Sequence, residues 1–473
     1  MYVRSVRARD FRCFERLEIE LLTPGSDISP RPFPISKNLN VLLGNNGAGK
    51  TSVLRAIALA ALGSTVQASG YRPLGLVRRA AEGGPTDATV TADLELDPSE
   101  EQTLGTSSMT VEAKIERLGS SERFVSTSPT VGTVLVGPGA VVGAGPASHP
   151  AEELERQLFD DAWPGFFVVG YGSSRRVEAP ESYDPVARIK SRGPRFQRVA
   201  GLFEEHFSLA PISSWFREVR EPVREKVARL LDRLIPGDTR ILSQLEAGDV
   251  VFEHHGLRLG FHQLSDGYRA YIGWVADLLG HCHRIHEERF DEASGVVLVD
   301  EVDLHLHPSW QRSALPSLAQ AFPRLQFVVT THSPIVAGTI TSQNLSVLEW
   351  EGREAPTLSR PTQEVWGLSA DQILTGETFG LHTTRNEPFT EALRKVREEE
   401  GSDASREFSR MLALGGAGIG TPEAAAVPEW VEALATRAAK TTPTKKVRKK
   451  QPAARKAGPK TTAKPRGAST RRA

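Results

Sequence analysis

The chain has 473 residues, 39% hydrophobic and 25% charged, the balance of a globular protein with up to three domains' worth of chain at ~150 residues each. Two cysteines, Cys13 and Cys282, exclude a disulfide framework and four-cysteine zinc modules and fit a reducing compartment. The 58 basic and 58 acidic residues cancel, but no acid follows Glu432 and 14 Lys and Arg lie from Arg437 onward, so a body of net charge −14 precedes a basic tail.

Val3, Ser5 and Arg7, then Leu17, Ile19 and Leu21, bracket DFRCFERLEIEL and predict two short strands with a turn. Residues 22–37 read as loop. Residues 38–43 (NLNVLL) predict an apolar strand that runs into a glycine-rich turn and then a helix from Lys50 to about Leu62. Residues 89–96 and 109–117 alternate with period two, as half-buried strands do. Residues 119–150, rich in Gly, Ser, Pro and Val, predict a long loop or insertion. Residues 166–170 (FFVVG) predict a buried strand, 195–209 and 215–234 helices, and 296–299 and 327–329 buried strands with helices between. This alternation predicts an α/β architecture around a parallel sheet, with an antiparallel β subdomain inserted early. No run approaches the ~18 apolar residues of a membrane span, and MYVRSVRARDF lacks the apolar stretch of a secretory signal, so the expected location is the cytoplasm.

The tail 437–473 has one aliphatic residue larger than Ala, Val447, and no aromatic, which predicts disorder. It reads either as a phosphate-binding arm for DNA or RNA or as a solubilising segment that folds back on the acidic body.

Gly44-Asn45-Asn46-Gly47-Ala48-Gly49-Lys50-Thr51 has the spacing G-x-x-x-x-G-K-[ST] between a predicted strand and a predicted helix. Its glycines let backbone N–H groups turn toward phosphates, and the helix presents its N-terminus to them, with Ser52 next in line. In this pattern Lys50 reaches the β- and γ-phosphates and Thr51 binds Mg²⁺. Val296-Val297-Leu298-Val299-Asp300-Glu301 has the form of a Walker B strand: Asp300 would hold Mg²⁺, and Glu301 would polarise the attacking water.

Three further segments follow in order. Leu264-Ser265-Asp266-Gly267-Tyr268 resembles the ABC signature, Val302-Asp303-Leu304-His305-Leu306-His307-Pro308 the D-loop, and Thr330-Thr331-His332-Ser333-Pro334 the switch-histidine motif. Asp10-Phe11-Arg12-Cys13-Phe14 resembles the opening of SMC, RecF and OLD-type ATPases. Together these resemble an ABC-type P-loop ATPase of the SMC/RecF/OLD-like branch, with an antiparallel β subdomain, a helical subdomain at about 190–290 and a disordered basic C-terminal tail. The resemblance implies ATP and Mg²⁺ as cofactors and a head-to-tail sandwich dimer or higher oligomer. In it Ser265 and Gly267 contact the γ-phosphate held by the opposite subunit, His332 senses that phosphate, Asp303 lies at the dimer seam and Arg12 approaches the phosphates. The signature departs from the usual LSGGQ at Asp266 and Tyr268, as members of this branch often do. No glutamine follows the strand at 166–170; Tyr171-Gly172-Ser173-Ser174-Arg175-Arg176 stands there, either as the link from metal to subdomain or as an exposed turn.

The 215 residues from Lys50 to Ser265 hold no sustained heptads, which excludes the long SMC arms, and residues 339–473 lack the Asp-x-Asp pair of an OLD nuclease domain. What remains resembles the compact ATPases of bacterial anti-phage modules, Septu PtuA-like and retron-associated. The resemblance implies a separate partner effector such as an HNH nuclease, with a RecF-like repair clamp and an ATP-gated scaffold as alternatives. The expected organisation is an ATPase domain over 1–350, a small helical addition over 351–436 and the tail 437–473. His281-Cys282-His283 with His286 invites a zinc site but lacks a fourth ligand.

Overall fold

The computed structural model describes residues 1–27, 35–79, 83–130, 149–160, 163–184, 186–187, 193–235, 237–246, 249–350, 355–387 and 390. Close contacts divide the chain into Met1–Thr384 and Arg385–Ala473, and the architecture below is that of the first unit. The tail 437–473 and most of 351–436 beyond residue 387 lie outside the described residues.

Two sheets face each other across one helix. In the first, β1 (Tyr2–Phe11) and β2 (Phe14–Glu20) form a hairpin around Arg12 and Cys13, closed by the pair Phe11 and Phe14. With β4 (Asp87–Glu95), β5 (Ser108–Leu118) and β6 (Ser121–Thr130) they make an antiparallel sheet in the order β2-β1-β4-β5-β6. The second is built on β3 (Leu39–Gly44), β7 (Val168–Tyr171), β11 (Gly295–Val299), β12 (Leu325–Thr331) and β13 (Leu345–Glu349), all parallel. The short antiparallel strand β14 (Thr357–Ser359) closes one edge, giving the order β14-β13-β3-β12-β11-β7.

The parallel strands are apolar on both faces because both are covered. Leu39, Val41, Leu43, Val297, Val299, Phe327 and Val329 pack into a core with the helices Glu221–Leu234, Asp266–His286 and Ala314–Ala321. Their neighbours Leu42, Val296, Leu298 and Val328 point the other way, toward helix α1 (Lys50–Ala68) and the antiparallel sheet.

Several expectations are corrected. Residues 121–130 are a strand, not a loop: the edge of β5 needs backbone partners, and β6 supplies them although its Ser- and Thr-rich sequence shows little apolar alternation. Residues 131–148 of that expected insertion lie outside the described residues. Helix α1 runs to Ala68 rather than Leu62; Gly63-Ser64-Thr65 reads as an end, but the chain only kinks at Leu62, and Thr65 donates its hydroxyl to the Leu62 carbonyl at 2.8 Å. Among the described residues α1 is also a helix long and apolar enough to cross a membrane by length and composition, which Thr51, Ser52 and Arg55 mask in the sequence; it is 72% buried inside the fold. The helix expected over 195–209 is two single turns, Pro194–Gln197 and Ala200–Phe203, then a non-helical turn at 205–206. That stretch also bonds to β7 and to the loop after it: Gly170 N–H donates to Arg198 O at 2.7 Å, and Leu209 N–H to Arg176 O at 2.7 Å. The helix expected over 215–234 breaks ahead of Pro222 into Ser213–Phe216 and Glu221–Leu234. Between them and the signature lies an unexpected antiparallel sheet of β8 (Thr239–Glu246), β9 (Asp249–His254) and β10 (Leu257–Gly260).

One side chain stitches the two sheets together. Gln326 of β12, fully buried, accepts from the Val3 N–H at 2.8 Å and donates to the carbonyls of Val3 and Leu22 at 2.7 and 2.8 Å. Gln326→Leu strands the Val3 N–H and carbonyl in an apolar interior, so a loss of about 3 kcal/mol is expected, read as a lower midpoint in urea unfolding at unchanged slope. An unchanged midpoint would show that the bridge adds nothing.

Candidate functional site

The carboxyl ends of the parallel strands carry the loops that build the site, as in other open α/β sheets. The end of β3 turns through residues 44–49 into α1. The turn needs glycine: Gly47 and Gly49 have φ of 79° and 99°, and a Cβ on Gly49 would lie 2.6 Å from both Cys13 Sγ and Phe14 Cζ. The β1–β2 hairpin therefore packs directly on the phosphate-type loop. It brings Arg12, itself at φ 55°, to donate Nε–H to Ser52 Oγ at 2.9 Å.

Lys50 is buried at the start of α1. Its Nζ donates to the carbonyls of Gly44 and Asn45 at 2.8 and 3.1 Å and lies 2.7 Å from His332 Nε2. An ammonium has only donors, so Nε2 accepts and the His332 proton sits on Nδ1. Burial lowers the Lys50 pKa, against the pull of Asp300, Glu301 and Asp303. Burial, followed by the Lys50 charge, lowers that of His332 and keeps the imidazole neutral at pH 7.

The acids come from the end of β11. Asp300 accepts from Thr51 Oγ1 and from Thr330 Oγ1, both at 2.7 Å, so residues 249 and 30 positions away in the chain converge on one carboxylate. Glu301 follows in the left-handed region at φ 49°, with its N–H donated to Thr330 Oγ1 at 2.7 Å. Asp303 accepts from Thr331 Oγ1 at 2.5 Å.

Arg12, Asn46, Gly47, Gly49, Lys50, Thr51, Ser52, Glu301 and His332 line one cavity of about 440 Å³, together with Cys13, Gly75, Val77 and Arg79. Gly44, Asn45 and Ala48 belong to the loop without lining the cavity, and Asp300 and Asp303 stand behind it. Ser265 and Gly267 do not line the cavity. Ser265 is the exposed residue before the helix Asp266–His286, and Gly267 lies so close to the D-loop that a Cβ would meet the His305 carbonyl at 2.8 Å.

Sequence reasoning missed several contributors. Arg79 carries no motif. Thr330 stands inside a quoted motif, but its bridging of Asp300 and Glu301 shows only in space. Trp350 donates its indole N–H to the Gly47 carbonyl at 3.1 Å from beyond β13. Of the two readings of Arg175, an exposed turn is wrong: it is 7% exposed and donates Nη2–H to the Glu301 carbonyl at 2.6 Å. The histidines of 281–286 gather no metal set. His281 Nε2 lies 3.2 Å from buried Asp277, Cys282 is fully buried, and no cluster of three or more metal-ligating side chains occurs among the described residues.

Comparison with known proteins finds similarity over most of the chain. The chain is 26% identical over 391 residues to the Septu protein PtuA of Bacillus mycoides (strain KBAB4), covering 81% of this chain and 45% of that one. It is 24% identical over 369 residues to the Retron Ec83 probable ATPase of Escherichia coli, covering 67% and 68%. It therefore spans about half the length of the first relative and about two thirds of the second. Among solved structures, the SMC head domain from Thermotoga maritima aligns over 77% of this chain and all of its own at 15% identity and a TM-score of 0.41. A Smc head domain derived from Pyrococcus furiosus aligns over 76% and 96% at 13% and 0.44. The family model described as "AAA domain, putative AbiEii toxin, Type IV TA system" matches residues 39–337, the stretch from β3 through His332, and the chain belongs to that family.

Proposed function

We propose that this protein binds and hydrolyses ATP as an ABC-type ATPase working as a head-to-tail dimer, and that it is the ATPase subunit of a bacterial anti-phage complex controlling a partner effector nuclease. The observation that carries the ATPase reading is the convergence of Lys50, Thr51, Asp300, Glu301 and His332 around one polar cavity under a glycine-rich loop. The defence reading rests on the likeness to Septu and retron proteins. The organisation proposed with it is an ATPase body over 1–350, an addition over 351–436 that supplies a dimer or partner surface, and a tail over 437–473 that contacts nucleic acid.

In this reading Lys50 leaves its loop carbonyls to meet the β- and γ-phosphates, and the N–H groups of residues 45–51 close around them. Arg12 and Ser52 meet the phosphates from the hairpin side. His332, neutral and within reach of Lys50, hydrogen-bonds the terminal phosphate. Glu301 takes the proton of the attacking water. The Thr51 hydroxyl and the Asp300 carboxylate, 2.7 Å apart, are hard oxygen donors of the kind Mg²⁺ takes beside waters and phosphate oxygens, so these residues fit that ion. Bound there, Mg²⁺ would neutralise charge on the transferred phosphoryl group. Ser265 and Gly267, remote from their own chain's cavity, would reach the γ-phosphate in a second subunit, with Asp303 at the seam.

The test is a pull-down of the Glu301→Gln protein from its native cells with ATP, with copurifying proteins identified by mass spectrometry. Recovery of a nuclease or other toxic effector is expected. Recovery of repair factors or of DNA alone would replace the defence reading with that of a repair clamp.

A further inference from the structure

Arg175 occupies a costly position. A guanidinium 7% exposed loses most of its hydration, and an apolar side chain of similar size would avoid that cost. Burial brings its pKa down to about 10, with Asp300, Asp303 and Glu301 opposing the fall, so it stays charged at neutral pH. Its Nη2 donates to a backbone carbonyl, that of Glu301, rather than to any of those carboxylates, and Nη1 is buried without a partner among the described residues.

Glu301 is the residue that needs such a hold. Its φ of 49° is strained for a side chain of this type, at about 1–3 kcal/mol. Three hydrogen bonds fix its backbone: its N–H to Thr330 Oγ1 at 2.7 Å, its carbonyl from the Leu304 N–H at 2.9 Å, and the same carbonyl from Arg175 at 2.6 Å. The first two come from the central sheet and the D-loop. The third comes from the loop after β7, the strand beside β11 in the same sheet. Arg175 sits on the loop after β7, and the following residues bond to the 200–210 segment, with Leu209 N–H donating to Arg176 O and Glu178 N–H to Leu209 O. The loop starts where β7 runs beside β11, and Asp300 N–H donates to Tyr171 O, at the end of β7, at 2.8 Å.

We propose that Arg175 is a positioning residue for ATP hydrolysis: its guanidinium holds the Glu301 backbone in the left-handed conformation that turns the carboxylate into the phosphate cavity. It tethers that geometry to the 170–178 loop and the segment packed on it. The inference rests on the ATPase reading above. It touches neither Lys50 nor the loop that binds phosphate, so it separates turnover from binding.

The experiment measures steady-state phosphate release by the full chain and by R175M, R175K and R175A, with K50A alongside, and adds hydrogen exchange on the peptide covering residues 299–306 without nucleotide. R175M is expected to lower kcat about 10²-fold, the scale of a ~1 Å misplacement, with KM for ATP within about threefold of wild type. R175K keeps the charge but lacks the planar fork and stays at least about tenfold down. Millimolar guanidinium chloride restores several-fold of the kcat lost in R175A, a response that a merely structural arginine would not give. Exchange at the Glu301 amide quickens in R175M while β12 stays protected. The proposal is overturned if R175M and R175K keep kcat within twofold of wild type, or if kcat falls without guanidinium rescue and with unchanged exchange at 299–306. If wild type shows no turnover that depends on Lys50, the ATPase reading fails by itself, and the exchange data still decide whether Arg175 holds Glu301. Should R175M not fold, R175K and the rescue of R175A carry the same test.

Discussion

Lys50→Ala should lower kcat/KM for ATP by about 10²–10³-fold and abolish saturable nucleotide binding at micromolar concentration. The magnitude is that of one charge-assisted donor removed from a preorganised, partly dry site, about 3–4 kcal/mol. Lys50 is a buried cation of the loop itself, and its ammonium is aimed between the Gly44 and Asn45 carbonyls and His332. Its charge is maintained against burial by Asp300, Glu301 and Asp303 behind it. Arg12 and Arg79 also line the cavity, but Arg12 is committed at Nε to Ser52 and Arg79 is an exposed residue outside the loop 44–51, so neither replaces an ammonium held within that loop. The fold should tolerate the change, because the carbonyls Lys50 releases can be met by water in an open cavity; the unfolding midpoint is expected to move by no more than a few degrees. Phosphate release and fluorescent-nucleotide titration check both statements. A variant that keeps more than a tenth of wild-type kcat/KM would mean that phosphate is held elsewhere.

The site was legible where its chemistry is local. Residues 44–51 announce a backbone conformation through glycine spacing, and Val296-Val297-Leu298-Val299-Asp300-Glu301 announces a buried strand ending in acids; their meeting at 2.7 Å between Thr51 and Asp300 is what the pattern requires. What stayed illegible is set by tertiary bonding. Strand β6 has no alternation to read because backbone pairing with β5 makes it a strand. The stretch 195–209 has helical spacing, yet its backbone is partly claimed by β7 and the loop after it. Arg175 lies in a run of Gly, Ser and Arg that reads either as a link from metal to subdomain or as an exposed turn, and only the closeness of β7 and β11 shows its side chain turned inward. Thr330 likewise shows its value only in space, where one hydroxyl serves Asp300 and Glu301 together.

Glu301→Gln should lower kcat by about 10²–10⁴-fold while leaving KM for ATP within a few-fold, and should convert the protein with ATP into a long-lived dimer. The rate term is that of a positioned general base made unable to accept a proton. The substitution is clean because, among the described residues, the hydrogen bonds that fix the residue go to its backbone: Thr330 Oγ1 at the N–H, and Arg175 and the Leu304 N–H at the carbonyl. Gln fills the same volume at the same φ, so the cavity wall is retained and only the charge and the basic lone pair are lost. Asp300 keeps both its threonine donors, so the residues that would hold Mg²⁺ are untouched. ATP that binds and is not cleaved should then hold two subunits together through Ser265 and Gly267 of the opposing chain. Light scattering coupled to gel filtration reads the mass with and without ATP, and Lys50→Ala in the same background should return the monomer. A Glu301→Gln protein that turns over ATP at the wild-type rate would move the base to another residue. One that binds ATP tightly but stays monomeric would leave the ATPase intact and remove the sandwich dimer from the proposal.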